Sequence, residues 1–317
     1  MKYYNEIEKQ LVSRLGTIQE ISKIQKGFSD DEKFVIKTAF DTYLLRISSA
    51  KTFSRKKEEF KIMKKLFAKG VNCNKPIDIF TGKEDNKIYN LFSFLPGNDA
   101  EKNISKLAES TQFEIGFYAG QDLKTINSLE NSTSSWKKRK LAKHEFYLAH
   151  YLKNEYSFEN DDKLIKFIES NCDRIKSAPD RFQHDDFHLG NIIINDSKYS
   201  GILDFNRYDR GDPLHEFVKL EWFTWPVSKE FARGEIKGYF GNEKVSEDIC
   251  LIISVYIAMS IFSTIVWTLQ FHPKTMPFIE NRMKSILDNY EYFDRIRPEW
   301  ISGISAKNQN LENEKQI

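Results

Sequence analysis

Cysteine is scarce and scattered. Cys73, Cys172 and Cys250 are the three in 317 residues, and none forms a CxxC pair or neighbours a histidine cluster. Such spacing indicates neither a disulfide framework nor a structural zinc site, so reduced thiols are expected. Internal repeats and low-complexity linkers are lacking as well. No apolar run opens the chain: Glu6 and Glu8 interrupt MKYYNEIEKQ where a signal peptide would be hydrophobic, so secretion is not expected and a cytoplasmic location is. A net charge of +2 excludes nothing by itself, but its distribution is uneven. Residues 1–96 carry 19 Lys and Arg against 12 Asp and Glu, and the remainder is acidic. A basic front suits a polyphosphate and an acidic back suits a cationic substrate, although solvated faces produce the same imbalance.

Long uncharged runs are absent with one exception, residues 249–271. Its length would cross a bilayer, but its serines and threonines and the lack of a basic flank favour a buried core helix. Hydrophobic residues at 40% and aromatics at 14% are enough to build cores in two lobes.

Spacing along the chain divides it in two. After an amphipathic helix over 5–15, with Ile7, Leu11, Val12 and Leu15 on its apolar face, the period changes from 3.6 to two. Residues 18–24, 33–38 and 42–47 read as an antiparallel meander, and 76–82 and 87–97 as two further strands. Between them lies a helix with Phe60, Met63 and Phe67 on one face. Beyond Pro96-Gly97 the pattern turns helical. The expected organisation is therefore α+β: an N-terminal lobe built on an antiparallel sheet over 1–96, a larger helical lobe over 97–302, and a polar tail over 303–317. The basic run 136–140 reads as a solvated helix face rather than a nucleic-acid contact.

Chemistry concentrates in residues 181–213, RFQHDDFHLGNIIINDSKYSGILDFNRYDRGDP. Two apolar runs flank the turn Asn195, Asp196 and Ser197, so a short hairpin is expected, with Asp186 and Asn191 at one open end and Asp204 at the other. Carboxylates and an amide against apolar strands are costly to desolvate unless a cation is bound. Oxygen ligands suit Mg²⁺. A base Asp, an Asn five residues later and a second Asp form the kinase-type kit, here Asp186, Asn191 and Asp204. His184 and His188 are expected to orient the loop, and Asp212, before Pro213, to cap a helix.

The string HDDFHLGN, followed by LDF and RGDP, resembles the aminoglycoside phosphotransferase and choline kinase-like family, whose pattern is HGDLHPGN, then IDF, then GDP. Asp185 stands where Gly is usual and Leu189 where Pro is usual. The resemblance implies a two-lobed protein kinase-like fold, with 1–96 as the nucleotide-binding lobe and 97–302 as the catalytic and substrate-binding lobe, and transfer of the γ-phosphoryl of ATP or GTP to a small-molecule hydroxyl. It implies Asp186 as base and Asn191 and Asp204 on Mg²⁺. Arg46, in place of the usual phosphate-gripping Lys, would pair with Glu59, or with Glu58 if the register slips. Gly27, Ser29 and Lys33 would face the phosphates, and the backbone of Ser93, Phe94 and Leu95 the purine. Acceptors in that family include aminoglycosides, macrolides, choline, ethanolamine, homoserine and methylthioribose. Asp185, Asp209, Glu216 and Glu221 are the candidate acidic lining for a cationic acceptor. Nucleotide binding without catalysis is the alternative class; neither nucleic acid nor membrane is an expected partner.

Overall fold

The computed structural model describes residues 2–25, 31–82, 85–129, 133–175 and 180–302. Gly27, Ser29 and the expected tail over 303–317 lie outside them. Two compact units emerge, residues 1–97 with 200–206, and residues 98–199 with 207–317. The return of 200–206 to the first unit is not visible in a linear pattern.

In the first unit, helix α1 (Lys2–Leu15) precedes strands β1 (Ile18–Ile24), β2 (Glu32–Thr38) and β3 (Thr42–Ser49); helix α2 (Phe53–Ala68) then leads to β4 (Pro76–Thr81) and β5 (Lys87–Ser93). The antiparallel sheet has the order β1-β2-β3-β5-β4. Side chains alternate across a strand, so Leu45 and Ile47 of β3 join Phe34, Ile36 and Leu91 under Ile7 and Leu11 of α1, while Arg46 and Ser48 take the other face. On α1, Val12 is exposed, and on α2 the buried apolar positions are Phe60, Ile62, Met63 and Leu66, with Lys56 and Glu59 buried beside them. Phe67, expected in the core, is 40% exposed and lies under Lys75. The α2 stripe thus turns one residue short of the expected face.

In the second unit, β6 (Asn98–Asp99) leads to α3 (Glu109–Ile126), α4 (Trp136–Leu152) and α5 (Asp161–Asn171). Strand β7 (Arg181–Gln183) enters the motif stretch, followed by β8 (Ile192–Asn195), by β9 (Lys198–Ile202), whose last three residues belong to the first unit, and by β10 (Asp209–Gly211). The expected hairpin turn forms at Asp196 and Ser197, with φ of +47° and +59°, the two left-handed positions of a tight turn. β7 pairs with β10, a ribbon with no period-two signal in the sequence. The short helix α6 (Phe217–Lys219) runs into a π turn over Leu220–Thr224, and α7 (Lys229–Phe240), α8 (Glu247–Phe271), α9 (Met276–Asn289) and α10 (Glu299–Ser302) complete the unit.

Helix α8 is the uncharged run. It is long and apolar enough to cross a membrane by composition, but 78% of its most apolar window is buried inside the protein, where Tyr256, Ile261 and Phe262 centre the helical core. Helices α3 and α7 meet through glycines. A Cβ on Gly116 or Gly120 would collide with the carbonyls of Phe231 or Glu235, and one on Gly234 or Gly238 with those of Phe113 or Phe117. These paired small residues let the two backbones touch.

Candidate active site

In the second unit, β7 delivers the chain into a loop that ends in a single 3₁₀ turn over Leu189–Asn191. The Asn191 amide group donates to the backbone carbonyl of Asp186 at 2.9 Å and to its Oδ2 at 3.1 Å. Both partners of that amide nitrogen belong to Asp186, so the Asn191 oxygen is turned away from it. Around the other carboxylate oxygen of Asp186, Oδ1, stand Lys219 Nζ at 3.1 Å, Arg207 Nη1 at 3.5 Å and His188 Nε2 at 3.7 Å. Burial raises the Asp186 carboxyl, but His188, Lys219 and His184 outweigh it and hold the group far below the usual carboxylate range. Asp186 is therefore an anion at neutral pH.

The loop is held from beneath by Glu216. Its Oε1 accepts the N–H of His184 at 2.6 Å and the amide of Asn127 at 3.3 Å; its Oε2 accepts the N–H of Asp185 at 3.1 Å. Burial, reinforced by the Asp185 charge, pushes the Glu216 carboxyl up to about 8. With 2% exposure it cannot line an acceptor cleft, which corrects its expected role. Backbone donors with no partner inside the loop required a buried acceptor, and Glu216 is that acceptor. Glu221 is corrected for the same reason: it is 1% exposed and accepts from Trp300 Nε1 at 2.5 Å and Asn289 Nδ2 at 3.1 Å.

Asp185 has φ of +60°, a left-handed conformation that favours the glycine usual at this place in the family pattern. Its carboxylate lies 3.4 Å from His215 Nδ1, and His215 Nε2 is 2.9 Å from Lys140 Nζ. Burial, then the neighbouring Lys140, lowers His215 to about 4, and burial together with Lys143 lowers Lys140 to about 7. Lys140 and Trp136 are buried, so the basic run 136–140 is not wholly a solvated face. Asp209 forms an exposed pair with Arg139 at 3.1 Å. Asp212 caps the following turn through Leu214 N–H at 2.9 Å and accepts from Tyr256 Oη at 2.9 Å.

In the first unit, Arg46 Nη1 donates to Glu59 Oε1 at 3.0 Å and Nη2 to Asp31 Oδ2 at 2.9 Å, with Asn206 Oδ1 as a third partner. Glu58 is exposed. Lys56 of α2 enters the same cluster, 2.5 Å from Asp31 Oδ2, 2.7 Å from Asn206 Oδ1 and 3.7 Å from Glu59 Oε2. Burial raises Asp31, yet Arg46 and Lys56 bring it down to about 2. Asp204, at φ +64°, accepts from Lys33 Nζ at 3.3 Å and from Asn206 Nδ2 at 2.6 Å. Ser93 N–H and Phe94 N–H donate to the carbonyls of Lys75 and Thr42, which leaves Leu95 as the remaining N–H donor at this strand end.

Lys56, Asp31, Asn206 and Lys219 escaped the sequence reading. The signal for Lys56 was present, since it sits three residues before Glu59 and so on the same helix face. Among the described residues, no group of three or more His, Cys, Asp and Glu side chains is gathered as a metal site. Each unit by itself offers a hard oxygen donor of the kind Mg²⁺ takes, the Asp204 carboxylate in the first and the Asn191 amide oxygen, outside the contacts with Asp186, in the second.

A family model described as the phosphotransferase enzyme family matches residues 20–247. Among curated proteins, none matches the chain. Similar solved structures include a thermostable mutant of aminoglycoside phosphotransferase APH(4)-Ia in ternary complex with ADP and hygromycin B, 12% identical with a TM-score of 0.63 over 89% of this chain and 98% of that one. ADP-bound APH(2'')-Ib is 17% identical, with a TM-score of 0.60 over 89% and 96% of the two chains. The GDP complex of aminoglycoside 2'-phosphotransferase-IIIa is 14% identical, with a TM-score of 0.64 over 89% and 95%.

Proposed function

The chain belongs to the phosphotransferase enzyme family, with an antiparallel-sheet lobe, a larger helical lobe and a hydroxyl group as phosphoryl acceptor, and on that footing we propose that Asp186 is its catalytic carboxylate. The donor is the γ-phosphoryl of ATP or GTP, in keeping with the ADP and GDP complexes of the similar structures. The acceptor is a small hydroxylated compound. An aminoglycoside is one candidate, since hygromycin B accompanies ADP in one of those complexes, and metabolites such as choline, homoserine or methylthioribose are others.

One observation carries the reading: the ionised Asp186 is locked to Asn191 through two hydrogen bonds, inside a loop whose backbone is capped by a buried glutamate. A carboxylate held so far below neutral is a weak proton store. Its work is to orient the acceptor hydroxyl and take the proton only as the new bond to phosphorus forms. Arg46, aimed by Glu59, and Lys33 would steady the phosphate oxygens. Asn191 and Asp204 would hold Mg²⁺, which when bound neutralises charge on those oxygens. A coupled ADP-release assay over a panel of hydroxyl compounds tests the proposal. Turnover that depends on an acceptor and disappears in Asp186→Asn supports it; Mg-ATP binding with no ADP from any acceptor would sink it.

A further inference from the structure

The residues expected to form an acidic lining are all committed elsewhere: Glu216 and Glu221 are buried, Asp185 faces His215, and Asp209 faces Arg139. What converges on the catalytic carboxylate is positive. Lys219 and Arg207 approach the same oxygen of Asp186, at 3.1 and 3.5 Å. Lys219 is half-buried, its ammonium 5.4 Å from the Phe223 ring, and His188 lies against that ring at 5.1 Å between centroids, so the lysine stands against a wall rather than free in solvent. Asp185 adds a second carboxylate, drawn to Lys219 and Lys143, so Lys219, Arg207 and Lys143 stand against two anions and leave positive charge in excess where the acceptor hydroxyl must arrive. A polyamine brought to this point would meet like charge at close range. An incoming hydroxyl that takes one hydrogen-bonding place on Asp186 Oδ1 releases a cation with a flexible stem to grip a second, negative group on the same molecule.

We infer that the acceptor is an anionic hydroxyl compound, bearing a carboxylate or a phosphate, whose negative group is held by Lys219 and Arg207 beside Asp186. This rests on the kinase reading above and narrows its substrate class. In the step itself, the acceptor oxygen bonds to the γ-phosphorus and the bond from that phosphorus to the β–γ bridging oxygen breaks. The bridging oxygen keeps the electron pair as the nucleoside diphosphate leaves, and the hydroxyl proton passes through Asp186 to water.

The test uses the full chain, Mg-ATP or Mg-GTP, and acceptors of one skeleton differing in charge: glucose, glucosamine, gluconate and glucose phosphate, with hygromycin B as polycation. Gluconate or glucose phosphate should exceed glucosamine and hygromycin B by about tenfold or more in kcat/KM, and the two anionic arms distinguish carboxylate from phosphate. Lys219→Gln and the exposed Arg207→Gln should each lower kcat/KM for the anionic acceptor about tenfold more than for glucose, with Lys219→Arg restoring most of the difference. A role confined to shaping the loop would lower all acceptors alike, and that result overturns the inference. Preference for glucosamine or hygromycin B also overturns it while leaving the kinase reading intact. Silence with every acceptor removes both.

Discussion

Around Arg46, side chains of alternating sign are packed into the first unit, where Asp31 and Glu59 face Arg46 and Lys56. Around Asp186, in the second unit, the decisive bonds run from loop backbone to the buried Glu216 and from Asn191 to a neighbouring carbonyl. The first region places Arg46 on a strand and Lys56 and Glu59 on a helix, with Asp31 just before β2, and balances charge against charge. The second holds an irregular loop by giving its backbone donors a buried acceptor. A charge-balanced cluster should respond to substitution in stability, because an orphaned buried charge costs several kcal/mol, and at Arg46 in nucleotide affinity as well. A capped loop should respond mainly in rate, because the geometry of one carboxylate depends on it.

The largest effect expected is on turnover. Asp186→Asn should lower kcat by about a thousandfold while nucleotide affinity, measured by titration calorimetry, stays within about threefold. If nucleotide affinity collapses instead, the two regions are not functionally separate. Next comes Arg46→Ala, which leaves Asp31 and Glu59 facing only Lys56 and should cost about 3–5 kcal/mol in denaturant unfolding. A loss under about 1 kcal/mol would show that water compensates the cluster.

Glu216→Ala removes the acceptor of two backbone N–H groups. About 1–3 kcal/mol of stability and a larger relative loss of kcat than of nucleotide affinity are expected. Glu216→Gln, which keeps an acceptor oxygen, should lie between the variant and the parent. The smallest effect concerns pH. Burial raises Glu221 from an ordinary 4.5 to about 7, so the folded state binds the proton more tightly than the unfolded chain. Its contribution to stability is complete below about 4.5 and is lost as pH rises through about 7. Thermal unfolding followed across that window should show a shallower decline in Glu221→Gln than in the parent.

Regular positions were the legible ones. Leu45 and Ile47 alternate with Arg46 on β3 and share a period with their neighbours, and Glu59 falls one helical turn from Met63. Phe67 and Val12 were misplaced because an apolar stripe on a short helix tolerates a shift of one residue without losing its amphipathic pattern. Glu216 and Glu221 were misread for a different reason. A carboxylate near a motif looks like a ligand, and only three-dimensional packing reveals whether backbone N–H groups or indoles have already taken its oxygens.

The chain's own order of residues was enough to determine the strand-rich first lobe and the helical second one and to single out Asp186, Asn191 and Asp204 as candidates, because hydrophobic period and fixed spacing are properties of neighbours along the backbone. It did not determine which charges would be buried. That Lys56 joins Arg46, that Glu216 caps the loop and that Lys219 stands beside Asp186 were decided by tertiary structure, since burial and long-range pairing between distant residues set the cost of an ionised group.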